Sequence, residues 1–284
     1  VSAGNVERGL TKSLLGWVAI FLLWMGAGVA WAQREKVLAR RHSHLNDLKV
    51  VQEGYERILK VRQGKVYVEE SRCDVRRPAH PLHQYSRLQM LGSLYPLNLR
   101  RALVVGLGGA SLSKALLAQF PELQVDSIEL DPEIVKLAHQ YFFYRVSERC
   151  RSIVLDAREF LEKNNSTYDL IVLDAFDGLE IPGPLRTVQF YGLVKKHLNP
   201  GGVVVANLHC NSGNYDRDRV SLARQFEYTL AYQGTGLVIV VAAPQELRAD
   251  TTRWAAGWGF PLEPLLLLRE KPAHFDSTVR PFED

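Results

Sequence analysis

The sequence predicts an α/β fold of alternating strands and helices, preceded by a small β-hairpin domain and an apolar N-terminal segment. Three observations predict it. The stretch from Leu103 to Asp131, LVVGLGGASLSKALLAQFPELQVDSIELD, runs from an apolar strand through Gly106, Gly108 and Gly109 into Leu112, Ala115, Leu116 and Phe120 at helical spacing, then into a second strand. Further on, YDLIVL from Tyr168 to Leu173 and VVVANL from Val203 to Leu208 read as buried strands with helical runs before them. Earlier, YERILKVR and VYVEE alternate on either side of Gln63-Gly64-Lys65, a β-hairpin pattern.

With 284 residues, 46% of them hydrophobic and 23% charged, the chain can bury one large core, or one core plus a small appendage. The net charge of +4 is spread along the chain without a basic block, which gives no basis for a nucleic-acid partner. Cys73, Cys150 and Cys210 have no metal-ligand spacing and cannot all pair, so they read as reduced, buried thiols of a cytoplasmic domain.

Taken in order, residues 1–33 form a transmembrane anchor or signal segment. No charge occurs between Lys12 and Arg34, and LLGWVAIFLLWMGAGVA is long enough to span a bilayer as one helix. Arg8 and Lys12 before it and Ala30-Trp31-Ala32 after it match a signal peptide, which would make the body periplasmic or secreted. Arg34, Lys36, Arg40, Arg41 and Lys49 outnumber Arg8 and Lys12, however, which favours an uncleaved anchor and a cytoplasmic catalytic domain. Residues 34–48 are polar and basic and read as a linker. Residues 49–81 hold the hairpin and end in an Arg-, Pro- and His-rich loop from Arg72 to Pro81. An amphipathic helix from Leu82 to Leu94 opens the main domain, 82–284.

Within that domain the glycine turn carries the first functional signal. Gly106-x-Gly108 alone could be a plain strand-to-helix turn. Glu129, about twenty residues on, stands near the second strand's end, where a nucleotide-binding βαβ unit places an acid for ribose hydroxyls. Ser111 occupies the place of a third dinucleotide-fingerprint glycine, and no Gly-Lys-Ser/Thr phosphate loop occurs. A nucleoside carried on a sulfonium, as in S-adenosylmethionine, fits better than NAD or ATP.

Asp131-Pro132-Glu133 starts the next helix, with Ile134, Leu137 and Ala138 inward; His139 has no assigned role. The third strand, Arg151 to Leu155, ends in Asp156-Ala157. Asp156 is placed to meet an adenine amino group and can also cap the helix from Arg158 to Lys163. YDLIVL then ends in Asp174-Ala175-Phe176-Asp177. Transfer from a sulfonium needs a neutral amine, whereas a free amine has a pKa of about 10 and is protonated at neutral pH. Asp174 at the strand end can orient the amine and take its proton, and Asp177 can bind the charged remainder; otherwise both merely shape a loop.

Ile181-Pro182-Gly183-Pro184 reads as a lid over this edge. The helix through Gln189-Phe190-Tyr191 stops at Asn199-Pro200-Gly201-Gly202, and the strand after it brings His209-Cys210-Asn211 to the same edge, without enough ligands for a metal. Arg217 to Gln233 reads as a helix and Leu237 to Ala242 as a strand. The tail, with Trp254, Trp258 and Leu265 to Leu268, closes the sheet.

Together VVGLGGASL, SIELDPEIVKLA, VLDAREFL, YDLIVLDAFDG and FYGLVKKHLNPGG resemble the spermidine synthase (polyamine aminopropyltransferase) family, and in particular its divergent, membrane-linked bacterial members. The resemblance runs from Lys49 to the strand at Leu237. It implies a class I methyltransferase-like Rossmann fold after a small hairpin domain, decarboxylated S-adenosylmethionine as co-substrate, no metal, a small-molecule amine as acceptor, and a homodimer. Residue by residue it implies Gly106 and Gly108 facing the cofactor, Glu129 on the ribose, and Asp156 with Ala157 at the adenine. Asp174 would be the catalytic acid/base and Asp177 a substrate-amine ligand. Tyr55 would be a second substrate contact, with Tyr55-Glu56 standing for the family's Tyr-Gln pair.

Besides Glu56 in place of the pair's glutamine, two departures matter. Gly109 stands where the family has an acid that binds the polyamine and the cofactor's amino group. The family's Tyr-His-Glu is not evident at His83-Gln84-Tyr85-Ser86. Two further readings therefore stay open. One is an S-adenosylmethionine-dependent methyltransferase acting on an amine of a protein or small molecule, which the missing acid favours. The other is a non-catalytic, membrane-tethered binding domain, against which Asp174 argues.

Overall fold

The computed structural model describes residues 35–177, 180–254, 259–270 and 278–284. Residues 37–284 form one compact unit. The chain begins with an antiparallel sheet of β1 (Lys36–His42), β2 (Asp47–Glu53), β3 (Glu56–Gln63) and β4 (Val66–Asp74), in that order. Leu48, Val50, Leu59 and Cys73 form its apolar face and meet Ile134, Leu137 and Phe142 of the main domain.

Helix α1 (Gln84–Met90) and a 3₁₀ turn (Leu91–Leu94) lead into the main domain. There follow β5 (Arg101–Val105), α2 (Ser111–Gln119), β6 (Gln124–Glu129), α3 (Pro132–Tyr141), β7 (Cys150–Val154), α4 (Ala157–Lys163) and β8 (Tyr168–Leu173). Then come α5 (Val188–Lys196), β9 (Leu198–Leu208), α6 (Tyr215–Ala223), β10 (Tyr228–Gln233), β11 (Val238–Ala243) and α7 (Glu263–Leu266). The seven strands of the main sheet stand in the order β10-β11-β9-β8-β5-β6-β7. β7, β6, β5, β8 and β9 run parallel, while β11 and β10 are antiparallel, so the fold is class I methyltransferase-like with a mixed sheet.

Strands buried on both faces read as continuous apolar runs, which is why YDLIVL and VVVANL show no alternation. One face of the sheet packs Leu88, Leu91, Leu112 and Leu116 together with Leu262 and Leu265 of the tail. The other packs Phe160, Leu161, Phe190, Val194 and Leu222. The strand order reverses at β5, between β6 and β8, and ligands of open α/β sheets bind beyond the carboxyl ends at such a switch.

Several expectations are corrected. The linker expected over residues 34–48 is instead β1 and the start of β2, so the hairpin is half of a four-stranded sheet. Only Ala39 of β1 is buried; a charged edge strand with one inward residue lacks the alternation that marks a strand. The single helix expected from Arg217 to Gln233 is α6 followed by β10, whose YTLAYQ pairs with β11 through a turn at Gly234 to Gly236. Among the described residues, no helix is long and apolar enough to cross a membrane. The segment 1–33 on which the anchor was placed lies outside those residues, as does Trp258. Cys73 and Cys150 are free and buried as expected, whereas Cys210 is only half-buried.

Candidate active site

The site grows out of the glycine turn between β5 and α2. Gly106 has φ +92°, and a Cβ there would collide with the Asp174 carbonyl oxygen. Only glycine lets the two strand ends close this far. The Gly106 amide donates to the Ile128 carbonyl at 2.9 Å and the Asp174 amide to the Val105 carbonyl at 2.8 Å, so β6 and β8 grip the turn from either side. Glu129, last residue of β6, lays one carboxylate oxygen on the Leu107 amide (3.0 Å) and the Gly108 amide (3.5 Å), and the other on the Asp131 amide (3.0 Å). Asp156 follows β7 and caps α4 by accepting from the Glu159 amide at 2.9 Å, with Ala157 buried beside it. The Leu155 amide donates to the Glu129 carbonyl at 3.2 Å, which ties these two strand ends together.

The electrostatics single out the same carboxyls. Asp174 accepts from Asn207 Nδ2 at 2.8 Å. Burial pushes its pKa up to about 6, although Asn207 and Gln89 stabilise its charged form. Burial also raises Glu129, against the pull of its three backbone donors. Glu70 of β4 is exposed along part of its length, but its carboxyl lies at the crowded rim. There burial, then the charges of Asp174 and Glu129, push it up to about 7. Burial raises the Tyr85 hydroxyl, and so do Asp174 and Glu70. Among the described residues none of Glu70, Glu129 and Asp174 pairs with a lysine or arginine. By contrast, Asp126, at the other end of β6, takes Arg151 at 2.7 Å through both oxygens. The unpaired acids therefore gather at the carboxyl edge.

Gly106, Gly108, Glu129, Asp156, Ala157 and Asp174 thus stand on adjacent strand ends. Asp177 is exposed, three residues beyond Asp174, and its amide donates to the Glu180 carbonyl at 2.9 Å. Tyr55 is not drawn into this group by any contact found: it lies in the β2–β3 turn, 59% exposed, with the Arg76 guanidinium 4.2 Å from its ring centroid. Nor is the segment at Ile181 a free lid. Glu180 accepts from Ser212 Oγ at 2.7 Å and pairs with Arg186 at 3.0 Å. Arg186 in turn makes a buried, two-pronged pair with Asp218 at 2.7 and 2.6 Å. Behind Asp174 a recess of about 10 Å³ remains, bounded by Val105, Leu173, Ala175, Ile181, Phe190 and Asn207. His209 packs edge-on against Phe176 at 5.1 Å, and burial lowers its pKa. Among the described residues no group of three His, Cys, Asp or Glu side chains could hold a metal ion.

Sequence reasoning missed Glu70, Tyr85, Gln89 and Asn207. Tyr85 and Gln89 are four apart on α1 and share a face, a spacing that was readable. Glu70 was hidden because a bulge in β4 breaks the strand period.

Residues 85–226 match the family model described as the spermine/spermidine synthase domain. The chain is 35% identical over 145 residues to the polyamine aminopropyltransferase of Vibrio vulnificus, an alignment covering 50% of this chain and 48% of that protein. It spans less than half the length of the first curated relatives it matches. The probable spermidine synthase from Corynebacterium glutamicum shares the fold, with TM-score 0.65 and 19% identity over 73% of this chain and 80% of that one. Human methyltransferase-like protein 13, solved in complex with SAH, aligns with TM-score 0.51 and 26% identity over 68% of this chain and 93% of that one.

Proposed function

Because the chain belongs to the spermine/spermidine synthase family, we propose that it is a transferase of polyamine biosynthesis. It would move an aminopropyl group from decarboxylated S-adenosylmethionine to the amine of a small molecule. The observation that carries this reading is the glycine turn held between Glu129 and Asp174, with Asp156 on the neighbouring strand end. Glu129 offers a carboxylate to ribose hydroxyls, Asp156 one to the adenine amino group, and Gly106 and Gly108 keep the turn free of side chains for a nucleoside to approach.

Asp174 supplies the base. The acceptor nitrogen's lone pair attacks the methylene carbon bonded to the sulfonium. The carbon–sulfur bond breaks with its electrons going to sulfur, and the proton lost by nitrogen goes to the Asp174 carboxylate. A carboxyl raised to about 6 is ionised at neutral pH yet holds a proton better than an ordinary carboxylate, which suits it to this step. Asp177, exposed three residues further on, would receive the acceptor's far ammonium. The cytoplasmic placement on an N-terminal anchor belongs to the same proposal and is supported by the positive residues after residue 33.

Methyl transfer to an amine is the second reading. Gly109, which brings no acid to the turn, favours it, as does the 26% identity to a methyltransferase-like protein solved with SAH. The two separate by product. Incubated with decarboxylated donor and a short aliphatic diamine, the chain should release methylthioadenosine and an acceptor heavier by one aminopropyl group, detected by mass spectrometry. S-adenosylhomocysteine and a methylated amine, formed from the intact donor, would instead establish the second reading. Neither product from either donor would contradict both.

A further inference from the structure

The β3–β4 ladder pairs Leu59 with Ser71 and Lys60 with Glu69, so Glu70 is an extra residue on β4, a β-bulge. Bulges re-aim side chains and recur beside active sites. This one sets two consecutive residues against the rim of the neighbouring sheet. Ser71 Oγ accepts from the Gly109 amide at 2.9 Å and lies 2.6 Å from where a Cβ on Gly108 would stand. Glu70 is the bulged residue itself: its carbonyl accepts from the Tyr85 hydroxyl at 3.5 Å, and its carboxyl feels the charges of Asp174 and Glu129.

Two buried side chains beside this cluster carry amide atoms without a hydrogen bond. Gln89 is 0% exposed and close enough to Asp174 to stabilise its charge, yet neither amide atom reaches good hydrogen-bond geometry. Asn207 is 5% exposed; it donates to Asp174, but its Oδ1 accepts nothing. Buried polar groups in this condition mark a place where a ligand completes the network. Position 109, meanwhile, is closed to any side chain, since a Cβ there would lie 2.9 Å from Ser71 Cβ and 3.0 Å from Phe142 Cδ1. An acid at position 109 would have to displace Ser71 or Phe142. The negative charge reaches the same rim from the bulge next door.

Resting on the aminopropyl-transfer reading, we propose that Glu70 is the ligand of the donor's primary ammonium and sets the preference for a decarboxylated donor. Three carboxyls without a lysine or arginine partner are relieved by a cation. The donor's ammonium is such a cation, held three carbons from the sulfonium. The intact donor would add a fourth carboxylate to the same place, so the charge that attracts the one repels the other.

The test is calorimetric titration of the 284-residue chain and its Glu70→Gln variant with decarboxylated S-adenosylmethionine, S-adenosylmethionine and methylthioadenosine, the last lacking an ammonium. A hydrogen bond to a charged group is worth roughly tenfold to a hundredfold in affinity. Glu70→Gln should therefore weaken decarboxylated donor by about that factor, leave methylthioadenosine unchanged, and narrow the gap between decarboxylated and intact donor. Equal losses for decarboxylated donor and methylthioadenosine would show that Glu70 only supports the fold and overturn the proposal. So would an unchanged affinity for decarboxylated donor. A wild-type chain that binds methylthioadenosine but binds decarboxylated donor no better than intact donor would remove the aminopropyl reading itself, and this assignment with it.

Discussion

In the proposed reaction Asp174 is the residue on which the chemistry turns. It is held by Asn207, backed by Gln89, and raised to about 6 by burial. Asp174→Asn keeps the shape and removes the base. Turnover should fall by about a hundredfold to ten-thousandfold while methylthioadenosine affinity stays near wild type, as steady-state kinetics and titration would register. The acid limb of the wild-type profile follows from the same group: kcat/KM should rise from pH 5 to pH 7 with a midpoint near 6 and then level off. Stability runs the other way. Asp174 and Glu70 have folded-state pKa values of about 6 and about 7, above their ordinary 3.8 and 4.5. Their contribution is fully present below about pH 4 and is lost as pH rises through 6 and 7. Thermal melts from pH 4 to 8 should show this trend flattened in a Asp174→Asn, Glu70→Gln double variant.

At the scale of elements, what positions the site is a set of close approaches that glycine and one buried ion pair allow. Gly106→Ala forces a side chain at φ +92° against the Asp174 carbonyl and should cost about 1–3 kcal/mol while loosening the turn that Glu129 holds. Asp218→Ala removes the buried partner of Arg186 and leaves it only the more exposed Glu180, which should cost up to about 3–5 kcal/mol in chemical denaturation, because that pair fastens the segment after β8. The strand–turn–helix from Leu103 to Phe120 and the acids at three strand ends were legible in the sequence, because glycine, periodicity and an acid at the right distance are local signals. The β1 strand, β10 and the bulge at Glu70 were not. β1 is a charged edge with one buried residue, β10 continues an amphipathic run without a break, and a bulge is visible only once its partner strand is known. Gln89 and Asn207 escaped notice for a related reason: each matters through a contact with Asp174 that is distant in the chain.

Across the whole molecule the acids sort by edge. Asp126 and Asp169, near the starts of β6 and β8, are consumed by structure: Asp126 by Arg151 and Tyr168, Asp169 by the Arg100 and Arg101 amides and by Asn199. Among the described residues Glu129, Asp156 and Asp174, at the carboxyl ends, hydrogen-bond to backbone amides and one asparagine. Glu70 joins them from the N-terminal sheet, so that sheet contributes to the site as well as to the core. The central claim is that an adenosyl group rests on this rim. Titration of methylthioadenosine into the wild-type chain and into Glu129→Ala tests it most directly. The account predicts binding to the wild type and at least about a tenfold loss in the variant; equal affinity for both, or no binding to the wild type, would contradict it.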